Sequence, residues 1–305
     1  VSLRCGPVRK PFLNRQRTRL CRRVEGRFVG MARRVQNARL SRYGRSGVGP
    51  RMKTVSFTAL PGLPEIRAGH DLARSIIDAA VRSELTPCAF DVLVVAQKIV
   101  SKSEGRTVDL RSIEPSTAAF ELAETSGKDA RLVEVILSES QQVLRAVPNV
   151  LIVRHRLGCV MANAGVDRSN VPNAAGEEKV LLLPVDPDAS AARLRRELMT
   201  YWQTPFAVII SDSFGRAWRN GVVNIALGAA GLPALVDRRG ERDRDGRKLG
   251  VTEVALADAI AAGAALAMGE ADEGTPVVIA RGLKWSAPET TAAGLLRPKE
   301  KDLFQ

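Results

Sequence analysis

The sequence is short of the side chains that most often hold transition metals or act as general bases. Its 305 residues include two histidines, His70 and His155, so a histidine metal cluster is nearly excluded. A Ser-His-Asp triad would have to use one of them, and neither sits in a suggestive motif. The four cysteines, Cys5, Cys21, Cys88 and Cys159, form no CxxC pair, which argues against a disulfide framework or a thiolate zinc site. No apolar run approaches the roughly 20 residues that span a bilayer, so a soluble, cytoplasmic protein without membrane contact is expected. The usual phosphate-binding fingerprints are missing too. "TSGKD" (125–129) lacks the upstream glycine of a Walker motif, and no G-x-G-x-x-G follows a strand. Any nucleotide would have to be held in an unusual way.

Acidic residues are nearly absent from positions 1–51, where Glu25 stands alone against 15 Lys and Arg. The whole chain carries +13, so residues 52–305 hold 31 cations against 32 acids and are close to neutral. The basic character belongs to the extension alone. Arg-rich composition without periodic apolar spacing disfavours a packed core, and a disordered extension is expected. It fits a start codon assigned too early, with Met52 the natural first residue. It also fits a basic arm binding nucleic acid nonspecifically, or a transit-type peptide.

The rest is rich enough in apolar residues, 45% over the whole chain, for one large domain or two small ones. Strand-like and helix-like stretches alternate, so an α/β or α+β class is expected. "SFTAL" (56–60), "DVLVVAQKIV" (91–100), "VLIVRH" (150–155), "GCVMANAGV" (158–166), "KVLLLP" (179–184), "FAVIIS" (206–211) and "PVVIARG" (276–282) read as strands. Residues 70–83, 117–146, 186–202 and 252–269 read as helices, with Asp71 a cap for the first. Gly-rich 220–232 also reads as helical, and 236–250 as a charged loop.

Three stretches place polar chemistry where apolar strands end. In "QKIVSKSEGR" (97–106), Lys98, Lys102 and Arg106 could meet phosphates, or form a solvated loop. In "NAGVDRSN" (163–170), Asp167 and Asn170 suit a hard cation beside phosphates, or an Asx-turn. In "FAVIISDSFGRAWRNG" (206–221), Asp212 and Ser213 offer hard oxygens to Mg²⁺ or Mn²⁺. Arg216 and Arg219 could face anions there, with Trp218 beneath them or against a ring. The same stretch also fits a capped strand-to-helix turn with a solvated basic face. Nothing in the spacing brings Asp167 near Asp212.

Seven stretches together resemble the coenzyme F420:L-glutamate ligase family. They are "LPGLPEI" (60–66), "QKIVSKSEGR" (97–106), "ANAGVDRSNV" (162–171), "LLPVDPDASA" (182–191), "SDSFGRAWRNG" (211–221), "VTEVALADAIAAGAAL" (251–266) and "LRPKEKDLF" (296–304). They occur in order over 56–304, leaving residues 1–51 outside and 52–305 as the catalytic domain. The resemblance implies GTP-driven ligation of L-glutamate to the lactyl carboxyl of F420-0, with further γ-linked glutamates. It implies an unusual mixed-sheet α/β fold, an intertwined homodimer and no Walker motif. Two Mg²⁺ or Mn²⁺ ions per subunit are implied, with K⁺ a further candidate. Carried over by position, the guanine-nucleotide loop falls on Leu63, Pro64, Glu65 and Ile66. Phosphate contacts fall on Gln97 and Lys102, metal ligands on Asp167, Asp212 and Ser213, and a GTP contact on Asn170. Gln97 stands where some relatives carry serine, and Ser213 where some carry threonine. Arg216 and Arg219 are left for the substrate's phosphodiester, its carboxylate or the incoming glutamate. Another carboxylate–amine ligase on the same scaffold, or nucleic-acid binding through the basic arm, are the competing readings.

Overall fold

The computed structural model describes residues 53–169 and 178–302. The basic extension, Asn170 and residues 303–305 lie outside the described residues. The described chain begins with β1 (Ser56–Ala59), α1 (Leu72–Arg82), β2 (Val92–Ala96) and α2 (Gln97–Ser103). There follow β3 (Thr107–Asp109), α3 (Thr117–Ser126), α4 (Ala130–Ser138), β4 (Ser140–Val147), β5 (Val150–His155), β6 (Val160–Ala162) and β7 (Lys179–Leu181). The last part holds α5 (Pro187–Trp202), β8 (Ala207–Arg216), β9 (Arg219–Ala230), β10 (Leu235–Asp237), β11 (Glu253–Ala255), α6 (Leu256–Met268) and β12 (Val277–Arg281).

The mixed α/β expectation holds. The main sheet has the order β1-β12-β2-β8-β9. Only its β2–β8 pair is parallel. β2 explains how the sheet is covered. Val92 and Val94 pack on the side of Ile260 and Ala261 of α6, whereas Leu93 and Val95 join Ile76 of α1 and Leu194 of α5. A strand buried on both faces needs no polar alternation, hence the unbroken "VLVV". The helices start where the capping chemistry is. Asp71 accepts the Arg74 N–H at 2.8 Å. Asp186 accepts the Ala189 N–H at 2.9 Å, with Pro187 in the first turn, where its missing N–H costs nothing. Beside this sheet, β4–β5–β6 form an antiparallel meander packed on α3 and α4. No described helix is long and apolar enough to cross a membrane.

Four stretches depart from the sequence reading. Residues 140–146, expected in a helix, fall in β4, which pairs with β5 through two register shifts. Residues 220–232, expected to be helical, lie mostly in β9, paired along β8. In both, a partner strand far or near in sequence outweighs weak local helix preference. The strand expected over 91–100 stops at Ala96, and Lys98 and Lys102 ride on α2. The strand expected to end at Ser211 runs on to Arg216, so Asp212 and Ser213 belong to a hairpin and not to a strand-to-helix cap.

The glycine of β9 that faces α5 has a packing reason. A Cβ on Gly228 would lie 2.2 Å from the Pro187 carbonyl oxygen and 2.3 Å from its carbon. Backbone cannot swing aside as a side-chain tip can. Gly228→Ala is expected to lose about 3 kcal/mol of stability, the upper part of the usual overpacking range. Urea denaturation measures this, and an unchanged midpoint would show that α5 yields freely.

An ionic hub around buried Glu139 joins the meander to the α2–β3 connection and to the segment that follows β7. Arg106 Nη2 donates to both Glu139 oxygens, at 2.9 and 3.0 Å, and its Nε donates to the Leu183 carbonyl at 2.9 Å. Arg156 Nε adds a bond to Glu139 Oε2 at 2.9 Å. His155 Nδ1 accepts the Leu157 N–H at 2.9 Å, and its Nε2 lies 3.4 Å from the same carboxylate.

Candidate active site

The parallel pair β2–β8 decides where the site lies. Its last paired residues are Ala96 and Ser211, so Gln97, which opens α2, and Asp212, still within β8, sit side by side just past the carboxyl edge of the parallel pairing. In open α/β sheets that edge is where ligands bind. A bulge sharpens it. Ile210 faces Gly228 but Ser211 faces Ala226, so β9 holds one extra residue just before Asp212. Such bulges redirect side chains near sites. β12 runs antiparallel to β2, so the 269–276 loop that precedes it reaches the same edge, and the Ala96 N–H donates to the Pro276 carbonyl at 2.8 Å.

Two cavities meet there. One, of about 390 Å³, is bounded by Glu65, Lys98, Lys102, Asn224 and the 269–276 loop. The other, of about 570 Å³, is bounded by β5, β6, Asp167 and the far end of β8. Gln97, Asp212 and Ser213 line both. Asp167 and Asp212, unrelated in spacing, thus border one cavity.

Their surroundings push the two carboxyls apart. Burial raises the Asp212 carboxyl to about 7, and the like charge of Asp167 adds to this. The Ser213 N–H, Lys98 and the Gln97 side chain oppose the rise without cancelling it. Burial also works against the Asp167 anion, but Lys98 and Ser169 outweigh it and hold that carboxyl below its ordinary value. Lys98 Nζ lies 2.6 Å from Asp167 Oδ2, and Ser169 donates its N–H at 2.7 Å and its hydroxyl at 2.9 Å. Asp167 is placed by backbone bonds in both directions to Leu181 of β7, at 3.0 and 2.8 Å.

The donor set fits a hard divalent cation. Asp167, Asp212 and Ser213 offer oxygens. Ser211 Oγ and Asn224 Oδ1, both buried beside the first cavity, have no hydrogen-bond partner. Two carboxylates without histidine or cysteine match Mg²⁺ or Mn²⁺ and not zinc. Among the described residues no three His, Cys, Asp or Glu side chains converge on one point. Water and substrate phosphates would have to complete the coordination, as they commonly do around Mg²⁺.

The remaining candidates divide. Lys102 Nζ is 2.6 Å from Glu65 Oε1 at the first cavity. Of the 63–66 stretch only Glu65 lines it. Ile66 is buried in the core and Leu63 packs against that core, while Pro64 is exposed. Gln97 is buried, its Oε1 accepting the Ser101 hydroxyl at 2.9 Å. Arg216 lines the second cavity, but Arg219, across the hairpin turn, lines neither. Trp218 packs under neither arginine. It sits at the hairpin tip with φ +66 and 88% of its surface exposed. Asn170 lies outside the described residues. The sequence reading missed Asn224, Ser211 and the acidic 269–276 loop. The only local signal was "MGEADEG" (268–274), small and acidic residues between a helix and a strand.

The family model described as F420-0:Gamma-glutamyl ligase matches residues 62–282 and so takes in every residue lining the two cavities. The chain belongs to the F420-0:gamma-glutamyl ligase family. Curated relatives agree. The coenzyme F420:L-glutamate ligase of Methanopyrus kandleri is 45% identical over 259 residues, covering 83% of this chain and 99% of that protein. That of Methanothermobacter thermautotrophicus is 44% identical over 253 residues, covering 82% and 99%. That of Archaeoglobus fulgidus is 43% identical over 251 residues, covering 82% and 96%. The family is one of ligases that form carbon–nitrogen bonds, and the segment matched to it takes in this edge of the sheet.

Proposed function

We propose that the protein joins L-glutamate to coenzyme F420-0 with GTP as the driving nucleotide, releasing GDP and phosphate. Further γ-linked glutamates are then added at the same centre. The observation that carries this reading is the wall of Gln97, Asp212 and Ser213 between two cavities, inside the segment matched to the ligase family. A ligase of this kind must bring a carboxylate and a phosphoryl group together from two sides, and that wall is where the two sides meet.

The chemistry needs activation because a carboxylate oxygen leaves poorly. An acceptor carboxylate oxygen attacks the γ-phosphorus as the bond to the GDP oxygen breaks, giving an acyl phosphate. The amine of glutamate then adds to the carbonyl carbon and loses a proton, and phosphate departs with the carbon–oxygen bonding pair. Phosphoryl transfer asks the protein mainly for alignment and charge neutralisation. Asp167, Asp212 and Ser213 would hold two Mg²⁺ or Mn²⁺ ions, which when bound neutralise charge on the phosphates and the attacking carboxylate. Lys102, on α2 beside the first cavity, neutralises phosphate charge from the nucleotide side. Gln97, buried and tied to Ser101, holds the wall at a fixed depth.

The test is the full-length protein with F420-0, L-glutamate, GTP and Mn²⁺, followed by mass spectrometry and chromatography. A product heavier by one glutamyl residue, matched by one GDP, is expected. No product from folded protein, or turnover that needs F420-0 but not glutamate, would end the reading. The role of Lys102 has its own test. Lys102→Met keeps the aliphatic stem and removes the charge, so KM for GTP is expected to rise about tenfold or more, the worth of one charge-assisted bond. An unchanged KM for GTP would remove Lys102 from the phosphate site.

A further inference from the structure

The second cavity differs from the first in the charges that line it. Its floor is polar, made of Gln97, Asp212 and Ser213 with Asp167 beside them. Its walls are apolar: Ile152 of β5, Met161 of β6, Val166, and Phe214 of β8. Among the described residues that line it a single cation, Arg216, stands. The first cavity has apolar lining too, from Ala96, Ile99, Met268 and Pro276, and differs in its charges: Lys98 and Lys102 stand there with the acidic 269–276 loop. A polyanionic nucleotide is better matched by the two lysines of the first cavity than by one arginine. A molecule with a carboxylate at one end, a second anionic group along its length and an apolar body gains from every part of the second cavity.

We propose that the 570 Å³ cavity is the acceptor chamber, with the reacting carboxylate at the Gln97–Asp212–Ser213 floor, an acceptor phosphodiester on Arg216, and the ring system against Ile152, Met161, Val166 and Phe214. The assignment rests on the ligase reading above and adds to it the residues that choose the acceptor.

Four observations support it. Arg216 Nη2 donates to the Asn220 carbonyl at 2.9 Å, which uses one of five guanidinium donors and aims the group from the hairpin while leaving others for an anion. Met161 and Phe214 pack with Leu183 and Leu227, so the apolar wall is a fixed surface and not a set of loose side chains. Gly165 holds that wall close. A Cβ there would lie 2.7 Å from Met161 Cε and 3.0 Å from Leu183 Cγ, and φ of +65 places it in the left-handed region where glycine is favoured. Ile152, by contrast, is partly exposed and belongs to none of the buried clusters, so its side chain is free to serve a ligand.

The experiment measures binding directly, so that it does not depend on turnover. Full-length protein is titrated calorimetrically with F420-0, without glutamate, and separately with GTP and Mn²⁺. Arg216→Gln, on the exposed hairpin, is expected to weaken F420-0 binding about tenfold or more, the cost of one charge-assisted contact, with GTP binding unchanged. Ile152→Ala is expected to weaken it by a similar factor through lost apolar contact. Arg219→Gln is expected to weaken it less than Arg216→Gln. Equal losses from the two arginine variants would reduce the effect to general positive charge and overturn the chamber. Loss of GTP binding in place of F420-0 binding would exchange the two cavities and overturn it as well. If the unaltered protein binds F420-0 and every variant binds it equally, the chamber falls and the ligase reading stands. If it binds GTP and not F420-0, both fall.

Discussion

Asp212→Asn is expected to abolish ligation while leaving the protein as stable as the unaltered form, or more stable. The substitution keeps the shape of the side chain and its place between the two cavities. It removes the charge that would hold a cation between the phosphates and the acceptor carboxylate. Losing a group that acts on the charge of the transition state costs about 10²–10³-fold in kcat. Asp212 would act on both phosphoryl transfer and the attacking oxygen, so the upper value is expected, about 4 kcal/mol of barrier. Stability moves the other way because of where the carboxylate sits. Its anion is disfavoured by burial and by Asp167, and asparagine carries no charge to bury. A residue kept against the interest of the fold is expected at a functional site and seldom elsewhere. Two assays decide it: GDP release under saturating substrates, and thermal melting. A variant retaining more than a tenth of the kcat would remove Asp212 from the centre. One that melts well below the unaltered protein would show Asp212 to be structural.

How far the site could be read from the sequence depended on how local its causes were. The caps at Asp71 and Asp186 were legible because the capping side chain and the helix it starts are neighbours. The central strands were legible for the same reason, since "VLVV" and "FAVII" declare burial on both faces within a few residues. β9 was not. Its "GAA" run looks like helix or turn, and the small residues are there because α5 approaches within contact of Gly228, a fact that lies 41 positions away at Pro187. The carboxylate pair shows both sides. Asp212 was marked by its position after an apolar run, but the run's true end lies at Arg216, because pairing with β9 carries the strand onward. Asp167 was marked by its turn-rich setting. Its backbone bonds to Leu181 and its ion pair with Lys98 hold it at the same cavity as Asp212. The 269–276 loop was missed because its role comes from topology alone. It precedes a strand antiparallel to β2, so it must land where β2 ends.

The Glu139 hub leads to the second large effect, and to one that depends on pH. Burial by itself would raise the Glu139 carboxyl, but the His155 ring 3.4 Å away and the bonds from Arg156 and Arg106 overcome it and hold the group down from 4.5 to about 2. The sign follows from proton binding. The unfolded chain takes up this proton first as pH falls, so the contribution is whole above about pH 4.5 and lost as pH approaches about 2. The drop corresponds to about 3 kcal/mol. Glu139→Gln is therefore expected to cost about 3 kcal/mol at pH 7, because it leaves Arg106 and Arg156 facing a neutral amide in a buried place. The gap between the two proteins should narrow steadily from pH 4.5 to pH 3, since acid removes from the unaltered protein what the substitution has already removed. Urea denaturation across that range measures both slopes, and parallel slopes would show that Glu139 is not the group being titrated. The hub also bears on chemistry. Arg106 follows α2 by three residues, and α2 carries Lys98 and Lys102. Loosening Arg106 from Glu139 and Leu183 frees the end of the helix that supplies the phosphate-side cation. Glu139→Gln should thus raise KM for GTP at pH 7 without touching either cavity, and by less than Lys102→Met does.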